Sequence, residues 1–235
     1  MLKQLKERVL KQNLELKNSG LVVLTWGNAS AIDRQSGLVV IKPSGVPYET
    51  LTASDMVVVD IKTGKTVEGN LSPSSDLATH LYLYQNFKDI QGVVHTHSTY
   101  SVAWAQSGKD IPVYGTTHAD VFYGSVPCTR ALTKSEVDGE YELNTGKVIV
   151  ETFKERNYNA IPAVIVKNHG PFTWGASIEK AVENAITLEE VAKMALLTEQ
   201  INSEADKVSQ YLLDKHYLRK HGKDAYYGQK NKEQK

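Results

Sequence analysis

The tightest constraint on the fold is the shortness of the links between β-branched runs in the first half of the chain. Leu38-Val39-Val40-Ile41 and Met56-Val57-Val58-Val59-Asp60-Ile61 are almost unbroken apolar runs of strand length. Arg34-Gln35-Ser36-Gly37 leads into the first, and Lys62-Thr63-Gly64-Lys65 turns the second into Thr66-Val67. Parallel neighbours need a crossover of a dozen or more residues, whereas antiparallel neighbours need only a turn. Much of the sheet must therefore be antiparallel. Helical spacing recurs from Leu2 to Lys17, from Leu77 to Tyr84, from Thr99 to Gln106, from Thr145 to Arg156, from Ser177 to about Glu204, and through Val208 to Lys215. Ile111 to Gly115 and Val121 to Val126 read as short extended pieces, and Ala163-Val164-Ile165-Val166 as a buried strand. The expected class is α/β: one domain, its sheet covered by helices on both faces.

Lys plus Arg equals Asp plus Glu at 27 each, so bulk charge draws the chain to neither nucleic acid nor a membrane surface. No apolar run reaches the ~20 residues of a membrane span, and Met1 to Lys11 lacks a signal-peptide core. One cysteine, Cys128, rules out an intrachain disulfide and fits a reducing compartment. A soluble cytoplasmic protein is expected, with Cys128 a buried thiol and Trp26, Trp104 and Trp174 in the core.

The run Gly92-Val93-Val94-His95-Thr96-His97-Ser98 ends in two histidines separated by one residue. In a strand, alternate side chains share a face, so His95 and His97 would point the same way. His169 follows Ala163 to Val166 at a second strand exit, against Gly170-Pro171. Three neutral imidazoles with an open fourth position are the pattern of a catalytic zinc site, with Mn2+ or Co2+ as substitutes. Asp76 is either a further ligand or an ordinary first-turn carboxylate favoured by the helix dipole.

Three stretches suit an anion. Lys42-Pro43-Ser44-Gly45 offers a cation, a hydroxyl and an unhindered backbone. Ser74-Ser75 precedes a helix, where free N–H groups attract anions. Gly27-Asn28 lets the backbone approach a ligand closely. Thr116-Thr117-His118-Ala119-Asp120 sets a carboxylate on a loop, where it could move a proton. Tyr226-Tyr227-Gly228 either packs against a neighbouring subunit or reaches into a site. His216, Arg219, Lys220 and His221 form a basic patch that could cap a helix or face an anionic substrate.

Gly27-Asn28-Ala29-Ser30, Lys42-Pro43-Ser44-Gly45, Ser74-Ser75-Asp76, His95-Thr96-His97, Thr116 to Asp120 and Asn168-His169-Gly170 occur in the order of the class II aldolase/adducin family. The ending, Lys215 to Gly222 and Ala225-Tyr226-Tyr227-Gly228, resembles the epimerising members rather than the fuculose or rhamnulose phosphate aldolases. The resemblance runs from Leu2 to Gln229. It implies a three-layer αβα sandwich with a mixed, largely antiparallel sheet over residues 1–229, followed by a polar disordered tail at 230–235. It implies a C4 homotetramer and a zinc ion on His95, His97 and His169, with Asp76 close by. Phosphate would lie on Gly27, Asn28, Lys42, Ser44, Gly45, Ser74 and Ser75, and Asp120 and Tyr227 would be the acid and base. Thr116, His118, His216 and Arg219 would stand on the substrate side. The implied activity converts L-ribulose 5-phosphate to D-xylulose 5-phosphate by breaking and remaking C3–C4 through a metal-held enediolate. The rival within the family is an aldolase that releases the two fragments.

Overall fold

In a computed structural model, residues 2–226 are described. The elements in chain order are α1 (Lys3–Asn18), β1 (Asn28–Asp33), β2 (Leu38–Ile41), β3 (Val57–Asp60), β4 (Thr66–Glu68), α2 (Leu77–Asn86), β5 (Gly92–His95) and α3 (Thr99–Ser107). They continue with α4 (Thr116–Ala119), α5 (Lys134–Asp138), α6 (Tyr141–Thr152), β6 (Ala163–Ile165), β7 (Pro171–Gly175), α7 (Ile178–Ile201) and α8 (Gln210–His221).

The strands form one seven-stranded sheet in the order β4-β3-β2-β1-β5-β7-β6. Every strand pair is antiparallel. The expectation of a largely antiparallel sheet holds. Among the described residues, the mixed character is confined to a parallel bridge between Cys128, outside the named strands, and Ile165 at the end of β6.

Strand alternation sorts side chains to the two faces. Val39, Ile41, Val57, Val59, Val93, Phe172 and Trp174 pack with Leu81, Leu83 and Tyr84 of α2 and Ile149 of α6. Ala29, Ala31, Val40, Val58 and Val94 pack with Val9 and Leu16 of α1 and Ala181, Val182 and Ala185 of α7. The sheet is therefore sandwiched, and His95 and Asn28 fall on the α2/α6 side.

Several local expectations change. β7 escapes a periodicity reading because Gly170 and Pro171 punctuate it, yet proline is tolerated as the first residue of a strand. Thr116 to Ala119 is a helical turn rather than an irregular loop, and Val121 to Ser125 is turn rather than extended chain. Trp104 and Trp174 are buried, but Trp26 is 52% exposed. Its apolar neighbours Val23 and Leu24 are exposed as well, in a stretch where Leu24 and Gly27 take positive φ (54° and 76°) before the central strand β1 begins.

Candidate active site and metal centre

Three strand exits bring the histidines together. His95 ends β5, His97 lies two residues past it, and His169 sits in the turn between β6 and β7. Asn168 adopts a left-handed φ of 62° in that turn, a conformation Asn tolerates better than most side chains. Gly170 is obligatory there, since a Cβ would stand 2.8 Å from the Thr96 carbonyl. Its absence lets the His169 turn lie directly on the β5 exit.

The imidazole nitrogens of His95, His97 and His169 lie within 4.8 Å of one another. His95 Nδ1 is 2.9 Å from the Pro171 carbonyl, which can only accept, so Nδ1 carries the hydrogen and Nε2 the lone pair. Such a bond fixes the tautomer and orientation of a metal-binding imidazole. Phe172 stacks on the His95 ring with centroids 4.2 Å apart. The Nε2 atoms of His95 and His97 are 3.0 Å apart, a spacing that a shared proton or a cation must bridge. Burial, followed by the neighbouring His95, lowers the pKa of His97 and takes that of His169 to about 3. All three features suit neutral nitrogen ligands for a borderline divalent ion, so the residues fit the expected metal.

Asp76 stands beside this cluster but is not part of it. It is the N-cap residue of α2, yet its side chain makes no capping bond. Its Oδ2 instead accepts from Asn28 Nδ2 at 2.7 Å and from Ser74 Oγ at 3.4 Å. Burial works to raise its pKa, but His95, His80 and the Asn28 amide outweigh that and hold it below the usual carboxylate value. Asp76 therefore stands at the positive end of α2, as the dipole reading expects, while its carboxylate is bonded to Asn28 and lines the cleft with the imidazoles.

Behind Asp76 lies a buried polar chain. His80 Nδ1 meets Ser30 Oγ at 2.7 Å, and Ser30 Oγ meets the Tyr84 hydroxyl at 2.9 Å. Tyr84 donates to the Ser30 carbonyl, also at 2.9 Å. Burial takes the His80 pKa to about 3, and its Nε2 has no hydrogen-bond partner among the described residues.

The cleft in front of the histidines has a volume of about 550 Å³ and is bordered by Gly27, Asn28, Lys42, Ser44, Gly45, Ser74, Ser75 and Asp76. An antiparallel bridge between Pro43 and Pro73 sets the Ser44 and Ser74 turns side by side. Gly45 has φ of 68° with open space at its Cβ position, so backbone conformation alone requires glycine. Lys42 is only 1% exposed, and its ammonium donates to the carbonyls of Val46 (3.0 Å) and Pro43 (3.3 Å). Burial lowers its pKa to about 8.

The acid/base candidates lie elsewhere on the chain. Asp120 caps the C-terminus of α4 and is not on the cleft wall. Its carboxylate pairs with Arg219 at 2.8 Å, His216 at 3.0 Å and Lys220 at 3.4 Å, all from α8. Partial burial would raise its pKa, but the Arg219 and His216 bonds hold it below the usual range. Thr116 opens α4, and His118 is buried there with Nε2 against the Gly124 carbonyl at 2.9 Å. Asp120, Thr116, His118, His216 and Arg219 thus form a second group, apart from the cleft of their own chain. Tyr227 and the tail at 230–235 lie outside the described residues.

Trp26, Tyr141 and Glu142 also border the cleft, and the sequence reading missed them there. The Tyr141 hydroxyl is 3.4 Å from His169 Nδ1. Tyr141 and Glu142 open α6 just after Gly139, and no motif spacing marks them. His80 was hidden as one more position in the helical pattern of α2.

Residues 7–196 match the Class II Aldolase and Adducin N-terminal domain, and the chain belongs to that family. It is 58% identical over 229 residues to an L-ribulose-5-phosphate 4-epimerase UlaF of Salmonella paratyphi C, covering 97% of this chain and all of that one. The UlaF protein of Salmonella choleraesuis matches to the same extent. Among solved structures, an L-fuculose 1-phosphate aldolase superposes with a TM-score of 0.78 at 26% identity, covering 92% of this chain and 95% of that one. The L-fuculose 1-phosphate aldolase of Glaciozyma antarctica has the same TM-score at 20% identity, over 95% of this chain and 84% of its own.

Proposed function

We propose that this chain is an L-ribulose-5-phosphate 4-epimerase, converting L-ribulose 5-phosphate to D-xylulose 5-phosphate in the cytoplasm. The observation that carries the reading is 58% identity, over the full length of relatives bearing that name, in a chain that keeps a three-imidazole cluster at its cleft. C4 of the substrate has no acidic C–H, so direct deprotonation cannot invert it. Breaking C3–C4, turning the aldehyde fragment and re-forming the bond can.

His95, His97 and His169 would hold zinc, or manganese or cobalt in its place, which supplies a Lewis acid for charge developing on oxygen. Gly27, Ser44, Gly45, Ser74 and Ser75 would grip the phosphate, so that the aldehyde fragment stays while its carbonyl rotates. Asn28 holds the Asp76 carboxylate toward the imidazoles. Inversion requires proton transfer on both faces of that carbonyl, and Asp120 and Tyr227 are assigned to it. Asp120 is absent from the cleft wall of its own chain, which supports delivery from an adjacent subunit of a C4 homotetramer. Thr116, His118, His216 and Arg219 would arrive with it.

The test is incubation with L-ribulose 5-phosphate and identification of the products. D-xylulose 5-phosphate as the dominant product is expected. Free dihydroxyacetone and glycolaldehyde phosphate in its place would make the chain an aldolase.

A further inference from the structure

Tyr48 lies outside the cleft, is 1% exposed, and packs in the core layer of α1 and α7. A tyrosine there buries a hydroxyl that needs a partner. It finds two: the Gly27 carbonyl at 2.8 Å and the Trp26 carbonyl at 3.1 Å. One hydroxyl hydrogen is thus shared between consecutive peptides of the turn that enters β1. The face of the same ring carries the Lys42 ammonium, 4.7 Å from its centroid. That ammonium is in turn bound to the carbonyls of Pro43 and Val46. One side chain therefore joins the Trp26–Gly27 turn to the Lys42–Val46 turn, the two backbone segments that border the cleft on this side.

The connection has a directional consequence. In a trans peptide the carbonyl and the following N–H point in opposite directions. Holding the Trp26 carbonyl toward Tyr48 turns the Gly27 N–H away from it. Gly27 is pinned as well, because a Cβ there would lie 2.9 Å from Val22 and 3.0 Å from the His95 carbonyl. Its backbone orientation is set by the tyrosine on one side and the β5 exit on the other. Lys42, read from sequence as an anion-binding cation, instead holds the turn that presents Ser44 and Gly45.

We propose that Tyr48 is a positioning residue for phosphate binding, bracing the Gly27 and Ser44–Gly45 turns at the spacing a phosphate monoester requires. The inference rests on the reading of the cleft as a sugar-phosphate site. Tyr48 touches no substrate, and its effect passes through backbone donors. It should therefore act on affinity and leave the bond-breaking step alone.

The experiment uses Tyr48→Phe, which keeps the ring beneath Lys42 and removes only the hydroxyl, in the metal-loaded, full-length protein. Inorganic phosphate is titrated calorimetrically, and KM and kcat are measured with L-ribulose 5-phosphate. Loss of one well-placed hydrogen bond predicts phosphate affinity and KM each weakened about tenfold, with kcat within about twofold. Val9→Ala, in the same core layer, serves as a matched destabilised control and should lower the melting temperature without moving phosphate affinity. Unchanged phosphate binding in Tyr48→Phe overturns the brace, as does an equal loss in Val9→Ala. A wild-type protein that binds no phosphate would remove the phosphate reading of the cleft itself, and the brace with it.

Discussion

Acid should destabilise this protein well before its carboxylates titrate, because of two histidines that play no part in the proposed metal set. His80 and His118 are 0% and 3% exposed. Each has one ring nitrogen bonded, to Ser30 and to Gly124 respectively, and the other without a partner among the described residues. Burial takes their pKa values to about 3 and about 4. The unfolded chain takes up a proton at each near pH 6.5, while the folded chain does not. Stability from these groups is therefore complete above pH 6.5 and is lost as pH falls through the window from about 6.5 down to 4 or 3. Between pH 7 and pH 5 the linkage amounts to about 2 kcal/mol per imidazole, or about 4 kcal/mol for the pair. For a chain of this size that lowers the melting temperature by roughly 8–16 °C. His97 and His169 act with the same sign in metal-free protein. Depressed carboxylates such as Asp76 act mostly below pH 4.5 and barely enter this window. The assay is urea unfolding of chelator-treated protein at fixed concentration from pH 7 to pH 5, for wild type and for His118→Gln. Glutamine can still donate to the Gly124 carbonyl but does not titrate. The variant should lose about 2 kcal/mol less than wild type across the window. Flat stability in wild type, or an identical slope in both proteins, would refute the argument.

Removing the metal with a chelator should abolish epimerisation while the far-ultraviolet circular dichroism stays the same, and added zinc, manganese or cobalt should restore turnover; full activity in verified metal-free protein would defeat the metal assignment. Tyr227→Phe should lower kcat by about a hundredfold or more with little change in KM, as expected for loss of a general acid or base. Mixing inactive Asp120→Asn chains with inactive Tyr227→Phe chains should recover part of the activity if those residues are supplied to one another's sites across subunits. No recovery, with subunit exchange demonstrated by mass, would count against a shared site.

The contrast between His95 and Tyr141 shows how far the sequence alone could go. His95 was legible because a strand has a fixed period, and an apolar run closing on His-x-His places two imidazoles at one exit whatever the rest of the chain does. The strand in fact ends at His95, yet the two rings still converge. His169 was legible for a similar reason, since it follows a buried strand at its exit, whereas the need for Gly170 comes from the distant Thr96 carbonyl. Tyr141 starts a helix with no periodic or turn signal of function. It reaches His169 only because α6 packs over the same face of the sheet as α2. Trp26 misled for the opposite reason. Its apolar neighbours suggest a core, but that stretch, with left-handed Leu24 and Gly27, leaves Val23, Leu24 and Trp26 exposed.

The sequence by itself determined the antiparallel pairing of the first strands, the layer of helices on either face, and the turns and strand exits that carry the candidate metal and anion groups. These follow from loop length, side-chain period and turn chemistry, all of which act over a few residues. Only the tertiary structure decided which groups meet. It bonded Asp76 to Asn28, enclosed Lys42 among carbonyls, and tied Asp120 to α8 away from its own cleft. Each of those outcomes depends on contacts between residues 4 to 99 positions apart. Local propensity carries no information about separations at the upper end of that range.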